Sequence, residues 1–188
     1  AYGDTPTLPK HEDMPQNPLS PYAADKVHAE NLCRVFTATY GLECVALRYF
    51  NVFGPLQRPD SAYAAVIPKF IHAVMAAEAP VIYGDGRQTR DFTFVANVVE
   101  ANILAATATG APGQVMNIGN GRRTDLLELL AAVSKAFGRE VEPAFEAPRR
   151  GDVRDSLADI SRAQEILGYR PVVDLEAVLH AGLASRAK

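Results

Sequence analysis

Apolar positions near the start of the chain recur at helical spacing between a clear start signal and a clear stop signal. Ser20 offers an N-cap hydroxyl, Pro21 suits the first helical position, and Gly41 can adopt the left-handed conformation that ends a helix. The pattern therefore predicts a helix over residues 21–40. A stripe of positions spaced by four and three residues is expected to face the interior. The stripe comprises Tyr22, Lys26, Ala29, Cys33, Phe36 and Tyr40.

Short apolar runs alternate with amphipathic segments along the rest of the chain. The predicted strands cover residues 44–48, 81–83, 91–95, 114–118 and 141–145. The predicted helices begin near Pro68 and then cover residues 97–109, 125–137, 161–167 and 174–185. Helices that alternate with buried strands are typical of an α/β fold with parallel strands.

Composition and charge exclude several classes of protein. Among 188 residues, 19 Lys and Arg stand against 22 Asp and Glu, and no basic run marks a surface for nucleic acid or an anionic membrane. The two cysteines and four histidines form no metal-binding or redox spacing. No apolar stretch approaches the length of a membrane span, and no signal peptide opens the chain. We therefore expect a soluble, cytoplasmic protein without metal, nucleic-acid or membrane partners.

Tyr22 and Lys26 stand one helical turn apart, so the ammonium can lie beside the phenol on the same face. A phenol with the ordinary pKa of about 10 is almost fully protonated at pH 7, whereas a neighbouring cation favours the phenolate and can make tyrosine a general base. Pairs at this spacing also occur by chance on amphipathic helices. Taken alone, such a short motif indicates packing more often than catalysis, and the surrounding sequence has to decide between the two.

Seven blocks of sequence supply that context and span nearly the whole chain. They are AYGD at 1–4, PLSPY at 18–22 with Lys26, LRYFNVFGP at 47–55, AVIP at 65–68, IYGDG with QTRDF at 82–92, NIG at 117–119, and RRGD at 149–152. In these blocks the chain resembles the extended short-chain dehydrogenase/reductase family. Within that family it is similar to the nucleotide-sugar 4-epimerases of the UDP-glucose and UDP-N-acetylglucosamine type. Seven blocks in one order make chance an implausible explanation.

The resemblance implies an α/β fold built from the C-terminal part of a Rossmann-like parallel sheet and a smaller α/β substrate-binding domain. Residues 1–58 and 97–119 would belong to the first unit, and residues 59–96 and 120–188 to the second. The sequence has no Gly-x-Gly-x-x-Gly motif after a strand, and the family's upstream catalytic Ser or Thr finds no match. We therefore expect that the N-terminal NAD-binding half is missing and that the chain alone is inactive. We also expect self-association through the face left uncovered.

The resemblance assigns catalytic and cofactor roles to three residues. Tyr22 would be the base that takes the proton from the sugar 4-hydroxyl while hydride passes to NAD. Lys26 would hold the nicotinamide ribose and favour the phenolate of Tyr22. Phe50 would contact the cofactor together with these two residues.

Four further residues would bind the phosphates and ribose of a UDP-sugar. By resemblance, Asn51 and Arg90 contact the diphosphate, Arg149 contacts a phosphate, and Asp152 accepts from a ribose hydroxyl. A guanidinium fork suits phosphate oxygens. From the residues alone, Asn51 could equally satisfy its own turn, and Arg90 could form an ion pair with a neighbouring carboxylate.

Three residues concern the base and the sugar. Val66 and Tyr83 resemble positions that frame the uracil, although packing explains both at least as well. Ser156 occupies the position where members restricted to UDP-glucose tend to carry a bulky tyrosine. A small residue there would leave room for a 2-N-acetyl group.

The first functional hypothesis is NAD-dependent epimerisation at C4 of a UDP-hexose or UDP-N-acetylhexosamine by the complete protein, as a homodimer. A nucleotide-sugar 4,6-dehydratase or decarboxylase is the alternative within the family. A truncated module that binds a UDP-sugar without NAD, or an inert fragment, would not be an enzyme.

Overall fold

The structure is a computed structural model that describes residues 1–57, 66–149 and 153–184. The helices are α1 Pro21–Tyr40, α2 Val66–Ala76, α3 Val95–Thr107, α4 Leu126–Phe137, α5 Ser161–Leu167 and α6 Leu175–Ala184. The strands are β1 Ala46–Tyr49, β2 Val52–Phe53, β3 Val81–Tyr83, β4 Thr89–Arg90, β5 Thr93–Phe94, β6 Val115–Ile118, β7 Thr124–Asp125 and β8 Ala144–Glu146. Helices and strands alternate as predicted, and the last residue of the last predicted helix, Ser185, lies outside the described residues.

Local signals placed the ends of α1 correctly. The Ser20 hydroxyl accepts a hydrogen bond from the Ala23 amide at 3.2 Å, which satisfies one of the free N–H groups of the first turn. Gly41 ends the helix with φ of 68°, a left-handed conformation that glycine adopts without a steric penalty. The predicted helix over residues 21–40 is therefore confirmed.

The strands pair mainly in parallel. β1 lies beside β6, with Ala46 opposite Val115 and Tyr49 opposite Ile118. β2 pairs with β5 and β3 with β8, also in parallel, whereas β4 and β7 are antiparallel. The strand predicted over 91–95 exists but is shorter, because only Thr93 and Phe94 pair and α3 begins at Val95. Two-residue strands escape a periodicity analysis, since they contain no period.

Two hydrophobic cores lie side by side. The first is formed by β1, β6, α3 and α5, with Met116 and Tyr169 completely buried in it. The second is formed mainly by α2, α4 and β3, around Phe70, Val74 and Leu129. The helix α5 packs in the first core, although the predicted division of the chain assigned residues 120–188 to the second unit.

Five of the six residues of the predicted inward stripe of α1 are exposed, and the sixth, Cys33, is half-buried. Tyr22 is 71% exposed, Phe36 43% and Tyr40 72%. The face turned toward the sheet lies about 100° away and carries Glu30, which is 8% exposed and forms an ion pair with Arg48 of β1. The prediction that the whole stripe faces inward was therefore wrong: the buried position of α1 is a charged residue paired with the sheet, and the spacing of apolar residues does not reveal such a position.

Candidate functional site

A cavity of about 280 Å³ lies where the end of β1, the start of α2 and strands β3 and β4 meet. Five of the seven predicted substrate-binding residues line it together. They are Asn51, Val66, Tyr83, Arg90 and Arg149. These side chains come from positions spread over about half of the chain, so the fold brings together what sequence reasoning had singled out separately.

The cavity is positively charged. Lys69, Arg90 and Arg149 line it, and its described lining residues include no carboxylate. Three cations around one small space favour an anionic ligand such as a phosphate. Lys69 was not singled out from the sequence, although it stands three residues after Val66 on α2 and therefore on the same helical face.

Arg90 is held from one side by backbone oxygens. Its Nη1 donates to the Thr89 carbonyl at 2.9 Å and to the Arg154 carbonyl at 3.0 Å. Two carboxylates are close to Arg90 in the sequence. Asp85 pairs with Arg154 at 2.9 Å, and Asp91 is enclosed in the interior.

Asp91 anchors the strand that carries Arg90. Its carboxylate is fully buried and accepts backbone N–H bonds from Asn120 at 2.7 Å, from Gly121 at 3.1 Å and from Ala158 at 3.1 Å. Burial raises the pKa of Asp91, and the three N–H donors oppose that effect only in part. A Cβ at Gly119 would lie 2.8 Å from the Asp91 carboxylate, so glycine is required for this close approach.

Arg149 and Tyr83 form a stacked pair at the cavity. The guanidinium carbon lies 3.7 Å from the centre of the Tyr83 ring. The Tyr83 backbone is fixed in turn, because its carbonyl accepts a hydrogen bond from the Gln88 amide at 2.6 Å. A flat cation over a flat ring is a favourable contact, and it presents Arg149 to the cavity.

Asn51 lines the cavity from a turn, and Ser156 and Asp152 complete the set of predicted substrate residues. Asn51 is exposed beyond the end of β1, with φ of 26°, and its carbonyl accepts from the Thr93 amide at 3.2 Å. Ser156 is half-buried and bonds through its amide to the Thr89 carbonyl at 3.1 Å, but it does not line the cavity. Asp152 lies outside the described residues.

Tyr22 and Lys26 lie together on the exposed face of α1. The Lys26 Nζ is 5.3 Å from the centre of the Tyr22 ring. Neither residue lines the cavity. A phenol and an ammonium can both hydrogen-bond to hydroxyl groups of a ligand.

Phe50 is placed away from solvent. Its ring is buried in a small cluster with Tyr2 and Ala158, and the Tyr2 ring centre is 6.2 Å away. The role of its side chain in binding a cofactor stays a prediction.

Two features are absent from the described ranges, residues 1–57, 66–149 and 153–184. Within them, no helix is both long enough and apolar enough to span a membrane. No three His, Cys, Asp or Glu side chains in those same ranges come close enough to hold a metal ion.

The parallel strand pairs, their covering helices and the basic cavity define an α/β protein. A model of the NAD dependent epimerase/dehydratase family matches residues 1–119. The UDP-glucose 4-epimerase of Mycolicibacterium smegmatis is 43% identical over 174 residues, which are 93% of this chain and 55% of that protein.

Solved structures agree with this match. A UDP-N-acetylglucosamine 4-epimerase from Methanobrevibacter ruminantium M1, in complex with UDP-N-acetylmuramic acid, is similar with a TM-score of 0.92 and 41% identity, over 99% of this chain and 59% of that one. A UDP-glucuronic acid 4-epimerase from Bacillus cereus, in complex with UDP-glucuronic acid and NAD, is similar with a TM-score of 0.87 and 32% identity, over 100% of this chain and 59% of that one.

The chain belongs to the NAD dependent epimerase/dehydratase family. The predicted family, the α/β fold class and NAD as the cofactor of the family are confirmed. The chain spans little more than half the length of the curated relatives it matches, 55% in the first case and 56% in the second.

Proposed function

We propose that the protein containing this chain epimerises C4 of a UDP-hexose or UDP-N-acetylhexosamine with the help of NAD. The observation that carries the proposal is the cavity that unites five predicted substrate-binding residues with three cations and no carboxylate among its described lining residues. The related structures were solved with UDP-sugars, which are anions of the class that this cavity favours.

In the proposed reaction, Tyr22 takes the proton from the sugar 4-hydroxyl and later returns one to the same oxygen. Lys26, 5.3 Å from the Tyr22 ring centre, holds the ribose of the cofactor beside the phenol. NAD, when bound, supplies reversible hydride transfer at C4.

The substrate is held by charge and shape. Arg90 and Arg149 bind the diphosphate through their guanidinium forks, with Asn51 as a further polar contact. Val66 and Tyr83 frame the uracil. In this proposal Asp152 accepts from a ribose hydroxyl, and Ser156 leaves space beside C2 of the sugar.

The division into two units, the cytoplasmic location and the homodimer are part of the same proposal. The two separate cores support a division into a Rossmann-like unit of residues 1–58 and 97–119 and a substrate unit, although α5 packs with the former. The assignment of the chain to the C-terminal part of such an enzyme, its cytoplasmic location and the inactivity of the chain alone stay predictions. Exposed Leu32, Val35, Phe36 and Tyr40 on α1 support the proposed homodimer.

The proposal is tested by incubating the protein that contains this chain, loaded with NAD, with UDP-glucose and with UDP-N-acetylglucosamine. Proton NMR then follows the appearance of the corresponding C4 epimers. We expect conversion by the wild type. Tyr22→Phe should reduce kcat by at least about 100-fold, because general acid–base catalysis contributes about that much, while UDP binding is retained. The proposal would be contradicted if the wild-type protein did not bind UDP, or if Tyr22→Phe turned over the substrate at the normal rate.

A further inference from the structure

The helix that carries Tyr22 and Lys26 is attached to β1 by a buried charge, Glu30, and near its end by Thr37, whose hydroxyl accepts from the Cys44 amide at 3.2 Å. All residues of α1 are described, and Glu30 is the only one of them that is buried. The neighbours of Glu30 on the same face, Val27 and Cys33, are half-buried. Within the described residues of this chain, apolar packing therefore does little to fix the rotation of α1 about its axis.

Glu30 and Arg48 form a two-point contact. Arg48 Nε donates to Glu30 Oε2 at 2.8 Å, and Arg48 Nη2 donates to Glu30 Oε1 at 2.7 Å. Gln16 donates to the same Oε1 at 2.6 Å. Two parallel hydrogen bonds between planar groups fix direction as well as distance, so this contact resists rotation of α1 in a way that apolar packing does not.

The other side of Arg48 is tied to the sheet and to the start of the chain. Its Nη1 donates to the Tyr2 hydroxyl at 2.7 Å, and that hydroxyl donates to Asn117 Oδ1 of β6 at 2.5 Å. The Arg48 guanidinium also lies 4.8 Å from the centre of the Tyr2 ring. The network therefore runs from α1 through β1 to β6.

The Arg48 guanidinium at the centre of this network keeps its positive charge, because its pKa is raised in the folded protein. Burial by itself lowers the pKa of Arg48, but the hydrogen bonds from the guanidinium to Glu30 and Tyr2 more than offset this effect, and the pKa is raised above its ordinary value. Arg48 and Glu30 have side chains that are 11% and 8% exposed, so solvent screens their attraction little.

Helix geometry links this contact to Tyr22. Glu30 follows Tyr22 by eight residues, which is about 12 Å along the axis and roughly 80° around it. A rotation of α1 by about 10° would move a side-chain tip some 6 Å from the axis by about 1 Å. A misplacement of about 1 Å at a reacting group can reduce a rate by on the order of 100-fold.

We propose that the Glu30–Arg48 ion pair positions Tyr22 and Lys26 for proton transfer by fixing the rotation of α1 against β1. Glu30 and Arg48 are positioning residues, since they act through α1 and not on the substrate. The inference rests on the proposed function for its effect on catalysis.

The test uses the protein that contains this chain, with variants Glu30→Gln and Arg48→Lys. Both keep a polar side chain of similar size, and each loses the two-point charged contact. We expect kcat to fall by about tenfold or more while KM for the UDP-sugar stays within about twofold. Asp13→Asn is the matched control, because it breaks a contact to Arg162 Nη2 of 2.8 and 2.7 Å that does not involve α1, and it should leave kcat unchanged.

A double variant separates positioning from stability. Glu30→Leu with Arg48→Met replaces the pair by apolar side chains of similar size, a change that often preserves stability but removes the directional contact. We expect its melting temperature to stay near that of the wild type and its kcat to remain low. Recovery of kcat together with the melting temperature would overturn the inference.

Hydrogen exchange gives a readout that does not depend on activity. In Glu30→Gln and Arg48→Lys, the amides of α1 should exchange faster than in the wild type, whereas Asp13→Asn should leave them unchanged. Unchanged exchange in both single variants overturns the inference. A wild-type protein without epimerase activity would instead contradict the proposed function, and the exchange data would still decide whether this pair anchors α1.

Discussion

The guanidinium of Arg149 stacks on the ring of Tyr83, with 3.7 Å between the guanidinium carbon and the ring centre. Arg149 is otherwise exposed. A cation over an aromatic ring at an exposed site contributes roughly 0.5–1 kcal/mol, which is enough to favour one orientation of a long side chain. The stack therefore holds a flexible cation at the cavity where a phosphate is proposed to bind.

The first prediction concerns this cation. Arg149→Ala should weaken binding of UDP to the chain by about tenfold, because it removes a charged hydrogen-bond donor worth on the order of 1.5 kcal/mol. Arg149→Lys should recover only part of the affinity, since lysine lacks the planar fork. Isothermal titration calorimetry measures both. Arg122→Ala, which removes an exposed arginine paired with Glu176, is the control, and an equal loss there would mean that general charge and not the site is responsible.

The second prediction concerns Lys69, the cation that the motifs did not indicate. If it faces the diphosphate, Lys69→Gln should weaken binding of UDP severalfold and leave binding of uridine nearly unchanged, because uridine has no phosphate. The effect of Lys69→Gln on UDP binding should become smaller at high salt, because salt screens the charge of the lysine. Equal losses for UDP and uridine, measured by the same calorimetry, would show that Lys69 acts on the shape of the cavity rather than on charge.

Ser156 gives a prediction about sugar specificity. Ser156→Tyr should suppress turnover of UDP-N-acetylglucosamine relative to UDP-glucose, because the larger ring would occupy the space proposed for the N-acetyl group. The backbone bond from the Ser156 amide to Thr89 does not depend on the side chain, so the segment should keep its place. Competition assays with both sugars measure the ratio of kcat/KM. Ser156→Ala should leave that ratio unchanged, and an unchanged ratio in Ser156→Tyr would refute the assignment.

Sequence reasoning succeeded where a local interaction decides the structure. The ends of α1 follow from Ser20 and Gly41 because a cap involves only neighbouring residues. The rotation of α1 could not be predicted in this way, because it depends on Glu30 meeting Arg48, eighteen residues later along the chain. A charged residue in an otherwise mixed helix gives no local sign of its burial.

In the candidate site, too, some residues could be predicted from the sequence and others only from the fold. Motif resemblance identified Asn51 and Arg149 separately, and the fold places both on one cavity. Lys69 was missed because a single lysine on an amphipathic helix is usually a solvated surface residue. Its place becomes visible only in the fold, which brings residues of α2, β3 and β4 around one cavity.

The last prediction tests the buried carboxylate of Asp91, which anchors the strand that carries Arg90. Asp91→Asn should lower the free energy of unfolding by about 1–3 kcal/mol at neutral pH, because an amide offers one oxygen where the carboxylate accepts from three backbone N–H groups. Urea unfolding followed by circular dichroism measures this loss.

The pH dependence of that loss has a definite sign. The pKa of Asp91 is raised in the folded state, chiefly by burial, above the unfolded value of about 3.9. Between these two values the folded state binds more protons than the unfolded state, so this residue's contribution to stability falls as pH rises through the window. Asparagine does not titrate, so the Asp91→Asn variant lacks this pH-dependent contribution to stability. The difference in unfolding free energy between wild type and Asp91→Asn should therefore be larger at acidic pH, just above 4, than at pH 7. A difference that grows toward neutral pH would mean that the three N–H donors outweigh burial, and that the carboxylate is a stabilising buried anion.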